Sequence, residues 1–319
     1  MSARYDTTSK CHLGGRIAES KLARHRFTGG LPGEPYGLSM RAAALVVLLA
    51  AACAVSSCAS APASTSTSTT GSTTVATTAS PVLSTPPVVA SVTSDCAGAG
   101  TVERVEAPFG APGSRLASVY LPACYARDAE RRFPVVFLLH GAGADATQWP
   151  AIGLATTADD LITSGAIPPM IVVMPDGGAT MADGLAAELV DRLVPWVDQT
   201  YRTVPDAADR AVGGISRGGR VALLAAATHP GVFSGVGGHS PAVGAGDDAI
   251  AARLSGIAGP IRLDVGAKDA LRPGVEHFAT RVVAAGGSAD LVEAPGGHNR
   301  AYWRSHTSDY LRFYASLVT

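Results

Sequence analysis

AVGGISRGG (residues 211–219) carries the pattern G-x-S-x-G around Ser216. Residues 211–215 form an apolar run typical of a buried strand, and Gly219–Thr228 is rich in alanine and leucine, which favours a helix. A serine at a sharp strand-to-helix turn presents its hydroxyl at the end of a sheet, and small neighbours let the strand and helix pass close together. The stretch therefore predicts a nucleophile elbow. The alternative is a glycine-rich turn with an incidental serine, since the pentapeptide alone is weak evidence.

A serine hydroxyl needs a positioned base, and in this kind of fold the chain order is serine, acid, histidine. His298 lies in PGGHN (residues 295–299), a glycine loop directly after a predicted strand, and is our candidate base. His239 is the best rival, but it precedes any plausible acid. The other histidines after Ser216 fall within predicted helices or at their ends: His229, His277 and His306.

The acid of such a site orients the imidazole and stabilises its positive charge. Asp269 follows the predicted strand Ile261–Val265 in LDVGAKD (residues 263–269), where a catalytic acid belongs. Asp264 lies within that strand and is interpreted as a buried, hydrogen-bonded strand carboxylate. Asp290 begins the next strand. We therefore predict the triad Ser216, Asp269 and His298.

An oxyanion site needs two N–H donors. One is expected from the backbone of Arg217, at the start of the helix after the serine. The other is expected from Ala142 in HGAGAD (residues 140–145), directly after an early strand. His140 is interpreted as structural because it precedes Ser216, and no second ligand lies at metal-site spacing.

Apolar runs alternate with helical patterns through the C-terminal two thirds of the chain. The predicted strands are Leu116–Leu121, Pro134–Leu139, Met170–Met174, Ala211–Ile215, Ile261–Val265 and, more weakly, Ala289–Glu293. The predicted helices are Gly184–Tyr201, Gly219–Thr228, Val275–Ala285 and Ala301–Leu317. This alternation favours an α/β fold whose mostly parallel sheet has helices on both faces. The interval between Ser216 and Asp269 must hold two helices and two strands, which leaves no room for a large lid domain.

The composition narrows the class of protein. The chain has 319 residues, a net charge of −1 and 16% charged residues, so it has no excess of basic residues that would indicate nucleic-acid binding. Its five cysteines include no C-x-x-C pair, which gives zinc-ribbon and thioredoxin-like readings no support. We expect neither a metal nor a cofactor.

An export signal is expected near the N-terminus. Residues 42–55 form a 14-residue apolar run, too short to span a bilayer comfortably but suited to a signal peptide over residues 40–57. The following VSSC (residues 55–58) resembles a lipobox, which makes Cys58 the expected lipidation site, with Cys53 as a rival and an ordinary secretory signal as the alternative. Residues 1–39 are either a long n-region or precede a true start at Met40.

The remaining chain divides into a linker and a domain. Residues 58–94 are rich in Ser, Thr, Pro and Ala and, beyond Cys58, carry no charge, so they are expected to form a flexible linker. The folded domain is expected over residues 95–319. In an exported protein, Cys96 and Cys124 are expected to form a disulfide, two isolated thiols being the alternative.

Several motifs in fixed order resemble one known family. They are residues 121–149 (LPACY through HGAGADATQW), VVMPDGG (172–178), LVDRLVPWVDQTYRT (189–203), AVGGISRGG, LDVGAKD and residues 296–314 (GGHN through LRFY). They are similar to the α/β-hydrolase esterases that include esterase D, feruloyl esterases, enterochelin esterase and the mycolyltransferases. The resemblance covers about 200 residues, and implies the α/β-hydrolase fold and the same triad.

The resemblance also shows departures. Mycolyltransferases use a glutamate where Asp269 stands here, and Cys124 occupies a position that is usually proline or glycine, which an added disulfide would explain. The sequence therefore predicts an exported or lipid-anchored serine esterase for a small or surface-displayed ester, with membrane contact only through the anchor. Acyl transfer to an envelope sugar and a non-catalytic binding module are the alternatives.

Overall fold

Eight strands form one sheet in the computed structural model, which describes residues 95–110 and 115–318. They are β1 (Thr101–Ala107), β2 (Arg115–Leu121), β3 (Val135–Leu139), β4 (Ile171–Pro175), β5 (Arg210–Ile215), β6 (Gly235–His239), β7 (Ile261–Gly266) and β8 (Ala289–Ala294). Their spatial order is β1-β2-β4-β3-β5-β6-β7-β8. All pairs from β4 to β8 are parallel, while β2 is antiparallel to both β1 and β4.

β3 and β4 form because their sequences are apolar without interruption, and β5 has no polar side chain after Arg210. Every residue of β3, β4 and β5 is buried, as expected for strands covered on both faces. All six predicted strands occur, within one residue of the expected bounds at every end.

Helices cover both faces of the sheet. They are α1 (Gln148–Ala151), α2 (Leu154–Thr163), α3 (Leu185–Glu188), α4 (Val194–Thr200), α5 (Arg217–Thr228), α6 (Asp248–Leu254), α7 (Arg272–Ala284) and α8 (Arg300–Ala315). Successive residues of a strand point to opposite faces, and in β5 a Cβ at Gly213 would meet Tyr314 of α8, whereas one at Gly214 would meet Gly218 of α5. The predicted α/β-hydrolase architecture is confirmed.

The predicted helix Gly184–Tyr201 is divided by a π-helical turn, Leu189–Leu193, between α3 and α4. Pro195 follows this turn, and a proline can neither donate to the carbonyl four residues earlier nor sit close to it. The wider π-helical turn accommodates the hydrogen bond that Pro195 cannot make. Leu189 and Leu193 still face the core, as the apolar periodicity predicted.

Two strands and three helices were given no bounds from the sequence, although one further strand and helix, which are β6 and α6, were expected between Ser216 and Asp269. β6 reads GVGGH, and its three glycines have low strand propensity, so its position comes from pairing with β5 and β7. β1 is an edge strand with mostly exposed or half-buried residues. The short helices α1, α2 and α6 lie in the intervals between predicted elements. α5 also begins at Arg217 rather than at Gly219.

The start of the described domain is tied down covalently. Cys96 and Cys124 form the expected disulfide, and both residues are buried. The expected signal peptide, lipidation at Cys58 and linker lie outside the described residues. Within residues 95–110 and 115–318, no helix combines the length and apolar character needed to cross a bilayer.

Candidate active site

Ser216 occupies the tight turn between β5 and α5. Its backbone angles, φ 54° and ψ −116°, are ones that residues with side chains rarely adopt. The flanking glycines make the turn feasible: a Cβ at Gly214 would lie 2.6 Å from the carbonyl oxygen of Gly218, and one at Gly218 would lie 2.5 Å from that of Leu139. The two glycines of the G-x-S-x-G pattern are therefore needed because the strained turn packs directly against neighbouring backbone.

Ser216, His298 and Asp269 form one hydrogen-bonded chain. Nε2 of His298 lies 3.0 Å from the Ser216 hydroxyl, and Nδ1 lies 2.9 Å from Oδ2 of Asp269. A carboxylate only accepts, so Nδ1 carries the proton and Nε2 is left to accept from the serine. Asp269 is buried, while a third of the His298 side chain is exposed. The imidazole thus joins a buried carboxylate to a hydroxyl at the surface.

The three residues meet because each follows the carboxyl end of a parallel strand. Ser216 follows β5, Asp269 follows β7 and His298 follows β8. The loops after β7 and β8 are held together, since Lys268 N–H donates to the carbonyl of Gly296 at 2.7 Å. The second oxygen of Asp269 accepts the N–H of Leu271 at 2.8 Å, which fixes the rotation of the carboxylate.

The loop after β3 brings backbone N–H groups beside Ser216. A Cβ at Gly141 would lie 3.4 Å from that of Ser216. Gly141 N–H donates to Gln148 at 2.7 Å and Gly143 N–H donates to Ala179 at 2.7 Å. Between them, Ala142 N–H has no hydrogen-bond acceptor within the described residues.

The Arg217 N–H, expected from the sequence to be one of the two oxyanion donors, lies at the start of the helix that follows Ser216. Arg217 is the first residue of α5, so its N–H precedes the repeating bonds of the helix. The positive end of the helix dipole adds to its attraction for an anion.

His140 supports this loop from beneath. The buried imidazole accepts the Gly177 N–H on Nε2 at 2.9 Å, so Nδ1 carries the proton and donates to the Gly141 carbonyl at 2.8 Å. Both ring nitrogens are thereby used in joining the loops after β3 and β4. His140 therefore connects two loops and takes no part in the hydrogen bonds among Ser216, His298 and Asp269.

The rival residues lie elsewhere. His239 and Asp264 are fully buried and hydrogen-bonded to each other at 3.1 Å, so neither reaches the serine hydroxyl with its side chain. Asp264 is a strand carboxylate, as interpreted from the sequence. Asp290 pairs at the surface with Arg262.

An ion-pair cluster that sequence reasoning missed fixes the loop after β4. Asp183 accepts hydrogen bonds from Arg217 at 2.8 Å and from Arg220 at 3.0 Å, and Arg220 also binds Asp247. Burial acts to raise the pKa of Asp183, but the hydrogen bonds and charges of the two arginines lower it overall. The loop carrying Asp183 is thus bound to the helix that begins beside the nucleophile. No short motif signals it, because Asp183 lies 34 residues from Arg217.

A polar pocket opens beside the loop after β3. Its volume is about 240 Å³, and it is lined by Gly143, Ala144, Asp145, Thr147, Gln148 and Arg300. Arg300, the first residue of α8, also lines the pocket and lies two residues after His298 in the chain. Hydrogen bonds from Thr147 lower the pKa of Asp145 and keep this wall anionic. The described part of the chain forms no cluster of three or more His, Cys, Asp or Glu side chains suited to a metal ion.

Comparison with known families gives a match over most of the described domain. Residues 112–314, more than half of the chain, match the model of a family described as "Putative esterase".

Individual relatives are similar over shorter segments. An endo-1,4-beta-xylanase/feruloyl esterase of Xylanibacter ruminicola is 35% identical over 133 residues, which are 37% of this chain and 18% of that protein. An esterase of Mycobacterium tuberculosis is 34% identical over 134 residues, 39% of this chain and 28% of that protein. The matched segment thus spans less than a third of either relative.

Solved structures share the fold. A ferulic acid esterase superposes with a TM-score of 0.62 at 21% identity, covering 69% of this chain and 98% of that one. A feruloyl esterase module from Clostridium thermocellum in complex with sinapinate gives 0.60 at 21% identity, covering 69% and 90%. An S-formylglutathione hydrolase from Staphylococcus aureus gives 0.56 at 17% identity, covering 68% and 98%.

Proposed function

Because the chain belongs to this esterase family, we propose that it is a carboxylic ester hydrolase that works through a covalent acyl-serine. Ser216 is the nucleophile, His298 the general base and acid, and Asp269 the residue that orients and charge-balances the imidazole. One observation carries the proposal: the continuous hydrogen-bond chain from Asp269 through His298 to the hydroxyl of a serine held in a strained elbow.

The first half of the reaction forms the acyl-enzyme. Nε2 of His298 takes the hydroxyl proton as Ser216 Oγ bonds to the ester carbonyl carbon. The negative charge that develops on the carbonyl oxygen is met by the N–H groups of Ala142 and Arg217. His298 then gives its proton to the departing alkoxide, and the C–O bond of the ester breaks.

The second half releases the acid. Water takes the place of the alcohol, loses a proton to His298 and attacks the acyl carbon, and the proton returns to Ser216 Oγ as the acyl-oxygen bond breaks. Asp269 stays ionised throughout and stabilises the imidazolium that forms twice per turnover.

The site is open, which bears on the substrate. Within the described residues, a short helical turn and α6 are the elements between β6 and β7, so no large domain covers Ser216. An open cleft suits a soluble or surface-displayed ester better than a lipid that needs a covered tunnel. Feruloyl esters are the first substrates to test, because one relative and two of the three superposed structures carry that activity in their names.

We also propose that the enzyme is exported and held outside the membrane by a lipid on Cys58. The apolar run 42–55, the lipobox-like residues 55–58 and the uncharged linker support this. The Cys96–Cys124 disulfide fits an oxidising compartment. Mass determination of the protein from its native membrane tests it: a diacylglyceryl group on Cys58 is expected, and a mature protein beginning at another residue without lipid would refute it.

Ester turnover by substituted proteins tests the chemistry. Purified protein is assayed with p-nitrophenyl acetate and a feruloyl ester, and Ser216→Ala and His298→Gln are each expected to lose at least about 10³-fold in kcat. His306→Gln is the matched control, because His306 is a partly buried histidine of α8 that lies outside the hydrogen-bond chain of Ser216, His298 and Asp269. This variant should retain wild-type kcat. Full activity in folded Ser216→Ala would contradict the proposed role of that serine.

A further inference from the structure

A buried polar cluster lies beneath the candidate active site and is not used by the proposed reaction. We call it the His239 cluster: His239 at the end of β6, Asp264 in β7, and Tyr310 and Tyr314 on α8. All four side chains are at most 1% exposed. An imidazole and a carboxylate removed from water are costly to bury unless every polar atom is paired.

The cluster meets that condition. Nδ1 of His239 lies 3.1 Å from Oδ2 of Asp264, and Nε2 lies 2.7 Å from the Tyr314 hydroxyl. Tyr310 donates to Oδ1 of Asp264 at 2.9 Å. Burial and then the nearby Asp264 carboxylate raise the pKa of both tyrosines far above the usual range, so both hydroxyls are protonated donors. Nδ1 of His239 carries a proton, because the Asp264 carboxylate that it faces only accepts.

The two central strands make room for this arrangement. A Cβ at Gly213 in β5 or at Gly237 in β6 would collide with the Tyr314 hydroxyl. Glycine inside a strand lowers strand stability, since it has no side chain to pack and loses more backbone entropy. The two glycines therefore leave room for the end of the Tyr314 ring and its hydroxyl between β5 and β6.

The His239–Ala242 segment forms hydrogen bonds with both the N–H and the carbonyl of the strained Ser216. Ser216 N–H donates to the carbonyl of His239 at 2.9 Å, and Ala242 N–H donates to the carbonyl of Ser216 at 3.0 Å. Ser240 between them also has a positive φ, 48°, and its N–H donates to the Asp264 carbonyl at 2.7 Å. The two strained residues, Ser216 and Ser240, therefore lie in hydrogen-bonded segments where β5 and β6 end.

The same segment reaches the histidine of the site. The Ser240 hydroxyl accepts the indole N–H of Trp303 at 3.3 Å, and the Trp303 ring stands edge-on to the His298 ring, with centroids 5.1 Å apart. The end of β6 thus contacts Ser216 directly and His298 through one tryptophan.

We propose that the His239 cluster is a positioning device that locks the end of β6, so that Ser216 and His298 keep the geometry needed for proton transfer. This rests on the proposed function. His239, Asp264 and Tyr314 act as positioning residues through the His239–Ala242 segment, and none of them touches the substrate.

The test removes one hydroxyl and compares two tyrosines. Tyr314→Phe leaves the aromatic ring in place and takes away the donor to Nε2 of His239. Tyr120→Phe is the matched control, since Tyr120 of β2 is likewise fully buried and its hydroxyl donates to Asp159 of α2 at 2.7 Å. The kcat and KM with p-nitrophenyl acetate, the rate of labelling by a fluorophosphonate, and Tm are measured for both.

Tyr314→Phe is expected to lower kcat and the labelling rate about tenfold with KM changed less than about twofold, because a 1 Å misplacement of reacting groups costs roughly a hundredfold. Tyr120→Phe is expected to lower Tm to a similar extent while leaving kcat unchanged. Tyr314→Phe with a lower Tm but wild-type kcat and labelling rate would show that the cluster only packs the core, and would overturn the proposal.

Two substitutions at His239 give an independent readout. The Asn side chain in His239→Asn places an N–H donor near Asp264, whereas the Leu side chain in His239→Leu places none there, so the Asn variant should retain more kcat than the Leu variant. Equal, wild-type kcat in both would overturn the proposal, and if neither folds, Tyr314→Phe decides. Failure of the wild type itself to react with the fluorophosphonate would refute the proposed function instead.

Discussion

Replacing the carboxylate of Asp269 by an amide tests the proton arrangement of the site. Oδ1 of Asp269 accepts the N–H of Leu271 and Oδ2 accepts Nδ1–H of His298. In Asp269→Asn the side-chain oxygen has to stay on the Leu271 N–H, because an NH₂ group cannot pair with another donor. The new NH₂ group therefore faces His298, and Nδ1 becomes an acceptor.

An imidazole that accepts at Nδ1 carries its proton on Nε2, where Ser216 needs a base. The variant also leaves the imidazolium without its counter-charge during turnover. This change of tautomer is worth about 10⁴-fold in kcat in serine–histidine–aspartate sites. At 1.36 kcal/mol per tenfold, the transition state of Asp269→Asn should lie about 5 kcal/mol higher than that of the wild type.

The assay is kcat/KM with p-nitrophenyl acetate, together with urea unfolding to confirm that the variant is folded. Asp290→Asn is the control, because Asp290 is a largely exposed acid on the neighbouring strand and lies outside the triad. Wild-type activity is expected for the control. A folded Asp269→Asn variant that keeps more than a tenth of wild-type kcat/KM would refute the proposed role of Asp269. It would also refute the change in the His298 tautomer that the Leu271 hydrogen bond predicts.

Three further substitutions address the framework of the site. Gly218→Ala should lower the free energy of unfolding by about 1–3 kcal/mol, since its Cβ would press on a backbone carbonyl of β3, as urea unfolding would show. The Arg220→Gln variant should be less stable than the wild type at pH 7, and the difference should shrink below about pH 4. Burial acts to raise the pKa of Asp183, but the arginines lower it overall in the folded protein. The ion pair therefore stabilises the fold above the unfolded pKa of the carboxyl group, and this stabilisation is lost on acidification. Cys96→Ser combined with Cys124→Ser should cost roughly 3–4 kcal/mol in thermal unfolding, because it opens a loop with a sequence separation of 28, and should leave kcat unchanged.

Each has a contradicting result. Gly184→Ala is the control for the glycine substitution, as a Cβ there would meet nothing within 4 Å, and equal loss in both variants would refute the packing argument. A stability difference for Arg220→Gln that is the same at pH 3 and pH 7 would contradict the ion-pair account. Loss of kcat in the folded cysteine variant would mean that the disulfide supports the site itself.

The sequence was informative where chemistry and packing impose a local pattern. The elbow around Ser216 needs glycines within a few positions, and fully buried strands such as Ile171–Pro175 need unbroken apolar runs, so both were predicted. The order of acid and histidine after Ser216 follows from the fold, which singled out Asp269 and His298 before their contacts were known.

The features that were missed depend on contacts between distant segments. β6 is a strand because of its neighbours, despite glycines that argue against it. The Asp183 ion pairs join segments more than 30 residues apart. The pairing of His239 with Asp264 and Tyr314 spans 25 and 75 residues, and no spacing rule connects them.

The most direct test of the central claim is to find which residue a fluorophosphonate modifies. The purified protein is treated with the probe, digested, and the modified peptide is sequenced by mass spectrometry. We expect a single adduct on Ser216, abolished in Ser216→Ala and strongly slowed in His298→Gln. An adduct on another residue, or a folded protein that forms no adduct, would contradict the claim that Ser216 is the activated nucleophile.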